Sequence, residues 1–147
     1  MKDQAAISGK VTGNDEQVGF RAMIMKQAIA YNLAGFAKNL PDDIVDFTLQ
    51  GDAKRLDDAV AIIREGTERS SNIKVATTPA TVDPSLSAFT VYGWTSTTRD
   101  ITNPYDLVFH PRPNDKTLSA DDAEDVYHDI LKSTLKGDDL NKLHKGG

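Results

Sequence analysis

The chain has 147 residues, 39% hydrophobic and 27% charged, with a formal net charge of −5 and no cysteine. A chain of that size buries a real core as one domain with an appendage, and the missing cysteines exclude disulfides, thiolate metal sites and a cysteine nucleophile. The acidic balance, without a Lys/Arg-rich run or a basic stripe interleaved with aromatics, argues against nucleic acid as a partner. No apolar stretch nears the roughly 20 residues that span a bilayer. Met1-Lys2-Asp3-Gln4-Ala5 has no apolar signal core behind it, so the expectation is a cytoplasmic protein with no membrane partner.

Ala5–Thr12 alternates, with Ile7, Gly9 and Val11 on one face, and reads as a strand. From Phe20 the period turns helical: Phe20, Met23, Ile24, Ala28, Tyr31 and Leu33 recur at its spacing, and Gly35 lies past the end as a stop signal. Phe36–Leu40 and Ile44–Gln50 flank Pro41-Asp42-Asp43, a hairpin whose proline presets the turn. Gly51 is expected to break the second arm. Asp52 then caps a helix striped by Leu56, Ala59, Val60 and Ile63 and ended by Gly66. Ile73–Thr78 and Ala88–Trp94 read as two more strands, joined through Asp83-Pro84-Ser85. The order β-α-β-β-α-β, with room for an extra edge strand, predicts a ferredoxin-like α+β sandwich: an antiparallel sheet with two helices on one face.

This domain spans residues 5–95, and 96–147 read as a C-terminal extension. Pro104, Pro111 and Pro113 interrupt it, while Tyr105, Leu107, Val108 and Phe109 form an apolar island that adds an edge strand or packs on the core. Ser119-Ala120-Asp121-Asp122 opens an amphipathic helix over about 119–136, with Ala123, Val126, Tyr127, Ile130 and Leu131 as its stripe and Gly137 as its stop. The stripe is expected to cover the helix-free face of the sheet, within the chain or in a partner subunit. Self-association or a partner protein at helix 119–136 is the alternative to internal packing. The last ten residues, ending in Gly146-Gly147, are expected to fray.

The chemistry concentrates in Gly13-Asn14-Asp15-Glu16-Gln17-Val18-Gly19-Phe20-Arg21, which links the first strand to the first helix. A glycine-bounded loop there suits an anion, because backbone N–H groups converge, the helix dipole is positive and a guanidinium grips two oxygens. Arg21 alone reads as a solvated helix residue and Asn39 alone as a strand-end or turn residue. Met23 and Met25 read as core or flank residues, and the acidic run Asp121–Asp125 as a helix start. His110, His128 and His144 lack metal-ligand spacing, and Asp15-Glu16 reads as a solvated loop tip.

Val18-Gly19-Phe20-Arg21, followed by Lys38-Asn39-Leu40-Pro41-Asp42 and the exit Leu49-Gln50-Gly51-Asp52, makes residues 5–95 resemble an acylphosphatase. The resemblance implies hydrolysis of the carboxylate–phosphate anhydride of small acyl phosphates, with inorganic phosphate as the other ligand. It implies that Arg21 holds the phosphoryl oxygens together with the loop backbone at Asp15, Glu16, Gln17, Val18, Gly19 and Phe20. It gives Asn39 the nucleophilic water. No metal, nucleophilic side chain or organic cofactor is implied. Gln17 stands where the family carries glycine, and Asp15 and Glu16 add two negative charges to the loop. Facing a bound dianion at ~4–6 Å, each would oppose it by ~1–4 kcal/mol; facing solvent, by far less. A catalytically weak or inactive module that binds anions or proteins is therefore the alternative reading.

Overall fold

Alternation of apolar and polar residues gives the sheet one dry face. The computed structural model describes residues 4–12, 20–40, 44–68, 74–94, 105–112 and 116–134. Strand β1 (Gln4–Thr12) pairs antiparallel with β3 (Ile44–Asp52), and Ile7↔Leu49, Gly9↔Phe47 and Val11↔Val45 share the inner side. β2 (Ala34–Leu40) forms the hairpin with β3, and β4 (Lys74–Ala80) flanks β1. β5 (Phe89–Trp94) runs parallel to β2, and β6 (Tyr105–Phe109) runs antiparallel beyond it. The resulting order is β4-β1-β3-β2-β5-β6. The fold is the expected ferredoxin-like α+β sandwich, but its sheet is mixed, with one parallel seam at β2/β5. The apolar island at 105–109 supplies the extra edge strand.

Three helices among the described residues pack on the dry face: α1 (Phe20–Tyr31), α2 (Ala53–Glu68) and α3 (Ala120–Thr134). α1 touches both of the others. That central position explains why it buries Ile24, Met25, Ala28, Ile29 and Ala30, more than one stripe of its surface. The expectation that α3 covers the helix-free face is overturned. β6 widens the sheet by one strand, and its inner residues Leu107 and Phe109 need a cover that α1 does not reach. α3 supplies it, burying Ala123 and Tyr127 in the same core. Among the described residues no helix covers the opposite face, where Tyr92 is 46% and Val108 37% exposed.

Helix ends follow local chemistry. Asp52 caps α2 by accepting from the Arg55 N–H at 3.2 Å, and Ser119 caps α3 by accepting from the Asp122 N–H at 3.1 Å. α1 stops before Gly35, and Asn32 is the residue that stops it. Asn32 takes a left-handed φ of 61°, while the Leu33 N–H donates to the Ala28 carbonyl at 2.8 Å and the Asn32 N–H to that of Ile29 at 3.4 Å. This is a Schellman ending with asparagine in the place usually held by glycine. Gly35 instead lies within β2 at φ 143°, where a Cβ would overlap the Thr48 carbonyl oxygen. Gly51 does not break β3, which continues to Asp52, and α2 runs past Gly66 to Glu68. The missing Cβ of Gly51 leaves room for Leu33, whose Cδ2 would otherwise lie 2.6 Å away.

The extension is pinned to α1. Asn32 and Arg112 exchange two hydrogen bonds, Nδ2 donating to the Arg112 carbonyl at 3.1 Å and Oδ1 accepting from its N–H at 2.6 Å. Arg112 Nη1 also donates to the Ile29 carbonyl at 2.9 Å, a second and shorter bond on the acceptor that the Asn32 N–H reaches at 3.4 Å. Further along, the Leu118 N–H donates to the Ala30 carbonyl at 2.8 Å, and Lys26 Nζ pairs with Glu124 Oε1 at 3.1 Å.

Candidate active site

Residues Asp15, Glu16, Gln17, Val18 and Gly19 lie outside the described residues, so the site is fixed by what brackets them: Thr12 closing β1 and Phe20 opening α1. Phe20 packs partly buried against the core, which anchors the first helical turn. That turn carries no acidic residue, so the positive end of the helix dipole and Arg21 act together.

Arg21 is half-buried, and its Nη1 donates to the Tyr92 carbonyl of β5 at 2.8 Å. Burial lowers its pKa, opposed by the nearby Tyr127. A guanidinium starts so high that it stays charged at neutral pH. Tyr127 is pushed up to about 12 by burial, while the charge of Arg21 pulls the other way. The phenol therefore remains neutral beside the cation.

The strand register brings Asn39 to the same end of the sheet. Its backbone pairs with Val45 in β3, and Val45 pairs with Val11 near the end of β1. On the other side of β2, Ala37 aligns with Val91 of parallel β5. The carbonyl that holds Arg21 thus lies one residue beyond Val91, and Asn39 lies two beyond Ala37 on the adjacent strand. The turn Pro41-Asp42-Asp43 after Asn39 lies outside the described residues.

The other sequence candidates stay apart from this cluster. His110 is exposed, His128 lies on α3 with Nε2 3.9 Å from Glu124 Oε1, and His144 falls outside the described residues. Among the described residues no group of three or more His, Asp or Glu side chains is arranged to hold a metal ion. A cavity of about 420 Å³ opens at the opposite end of the sheet, between Asn32, Gln50, Asp52, Ser87 and Arg112. Gln50 is tied up there in a two-way bond with the Asp83 backbone, at 2.9 and 2.8 Å.

Two neighbours of Arg21 were not expected from the sequence. A backbone carbonyl such as that of Tyr92 leaves no trace in residue identity, and Tyr127 was hidden in an apolar helical stripe.

A family model described as acylphosphatase matches residues 7–91. The acylphosphatase of Chlorobaculum tepidum is 38% identical over 85 residues, covering 58% of this chain and 88% of that protein. That of Mycolicibacterium smegmatis is 32% identical, covering 60% and 90%. Among solved structures, acylphosphatase from Bacillus subtilis superposes with a TM-score of 0.51 at 24% identity, over 58% of this chain and 94% of that one, a likeness of fold. β6 and α3 lie beyond the matched residues. With the motif residues Phe20, Arg21 and Asn39 at one end of this sheet, the chain belongs to the acylphosphatase family.

Proposed function

We propose that this acylphosphatase hydrolyses small acyl phosphates with Arg21 as the phosphate clamp and Asn39 as the residue that orients water. The observation that carries the reading is the convergence of the Arg21 turn and the Asn39 strand position across β2 and β5. An acyl phosphate is already activated, since carboxylate is a good leaving group. The protein need only position water and stabilise charge on the phosphoryl oxygens. Water attacks phosphorus and the bridging P–O bond breaks. The carboxylate leaves with the electron pair, and the phosphate oxygens take the proton.

In this reading the N–H groups of the loop that leads into Phe20 bind the phosphoryl group. Gln17 fills a position where the family carries glycine. Neither a metal nor an organic cofactor enters the scheme.

Hydrolysis of benzoyl phosphate in ¹⁸O-labelled water tests the activity and its bond. The expected result is turnover well above the spontaneous rate, with label in phosphate. No acceleration, or label in benzoate, would overturn the reading.

A further inference from the structure

Strand β5 carries one residue more than its edge neighbour. From Phe89↔Phe109 to Val91↔Leu107 the two strands align one to one, but the next aligned pair is Trp94↔Tyr105. Tyr92 and Gly93 therefore stand together opposite Asp106, the two-against-one count of a β-bulge. On its other side β5 aligns with β2 as far as Ala37↔Val91. Tyr92 thus falls outside the aligned pairs of both ladders, and it is the residue whose carbonyl accepts from Arg21 Nη1 at 2.8 Å. Its ring leans on Phe36 of β2, with centroids 6.2 Å apart, so the side chain is held where the ladder is interrupted.

We propose that Gly93, as the extra residue of this bulge, is a positioning residue for Arg21: it turns the Tyr92 carbonyl out of the ladder and toward the guanidinium. This rests on Arg21 being the phosphate clamp. A carbonyl within a regular ladder is claimed by the next strand, whereas a bulge disrupts the ladder locally and re-aims the backbone beside it. A neutral acceptor holds the guanidinium through one N–H without cancelling its charge, and a side chain already ordered loses less freedom when it meets an anion. Gly93 and β6 both lie beyond residues 7–91, the stretch that matches the family model. The extension thus serves the clamp as well as the core.

Two variants close the bulge from opposite sides. Deleting Gly93 leaves Tyr92 against Asp106 and Trp94 against Tyr105, whereas inserting one glycine between Tyr105 and Asp106 gives Gly93 a partner and leaves β5 unaltered. Three quantities are compared with the unaltered chain: the order of the Arg21 Nε–H bond by ¹⁵N relaxation without phosphate, the binding constant of inorganic phosphate, and kcat and KM for benzoyl phosphate. The expected result is an ordered guanidinium in the unaltered chain and a mobile one in the variants. The phosphate constant and KM should rise about three- to tenfold, with kcat within about twofold. A freely rotating guanidinium in the unaltered chain would overturn the proposal, whether or not the variants fold. So would a folded variant with either an ordered guanidinium or unchanged phosphate affinity. If the unaltered chain binds phosphate but fails to hydrolyse benzoyl phosphate, the activity reading falls, yet guanidinium order and phosphate affinity still decide the role of Gly93.

Discussion

Arg21 spends one N–H on the Tyr92 carbonyl and keeps its charge at neutral pH. Asn39 does different work. If it orients water without gripping the phosphoryl group, Asn39→Ala lowers kcat by about 10²-fold and leaves KM within about threefold. A rise in KM at constant kcat would reassign it to ground-state binding. Tyr127 makes a separate prediction about stability at high pH. Its folded pKa of about 12 lies above the ordinary 10.0, so the folded protein holds this proton more tightly than the unfolded chain. The contribution is complete below pH 10 and is lost as pH rises toward 12. Urea midpoints of the unaltered chain should fall more steeply across that window than those of Tyr127→Phe; parallel curves would contradict this. Arg21 and Asn39 were legible in the sequence because motif and spacing name them. The Tyr92 carbonyl that meets Arg21 was not, since a backbone acceptor leaves no trace in residue identity.

Each element was legible where local chemistry decides it. Asp52 and Ser119 act as caps because a carboxylate or hydroxyl satisfies an orphan N–H within one turn. Glycine misled where packing decided. Gly35 was read as a helix stop, yet it serves strand β2, where φ is 143° and the Thr48 carbonyl fills the place of a Cβ. Gly35→Ala should therefore destabilise by at least ~2 kcal/mol, through strained φ and backbone overlap together. A chemical denaturation midpoint equal to that of the unaltered chain would contradict the strain argument. Gly9 carries a related constraint without a positive φ, because the Phe47 ring lies where its Cβ would stand, with Cε1 at 2.6 Å. The parallel seam between β2 and β5 was not legible, since periodicity marks a strand but not the direction of its neighbour.

The whole molecule is a family sandwich widened by one strand and one helix. The extension shares the core: Leu107, Phe109, Ala123 and Tyr127 join the cluster of Phe89, Val91 and Ile24. Removing everything after Trp94 would bare Phe89, Val91 and the flank of α1, at about 1.5–3 kcal/mol for each large side chain returned to water. The truncated chain should unfold at markedly lower urea, and an unchanged midpoint would show the extension to be an ornament. The sequence located this helix and its stripe but not the surface it covers, because β6 had first to create that surface. In the proposed mechanism the arrangement serves the charge of Arg21 at the start of α1, and the most direct measurement is kcat/KM for benzoyl phosphate with and without it. Arg21→Ala is predicted to lose at least about 10²-fold, or some 2.7 kcal/mol of transition-state stabilisation, while remaining folded. Equal kcat/KM for the two proteins would contradict the account at its centre.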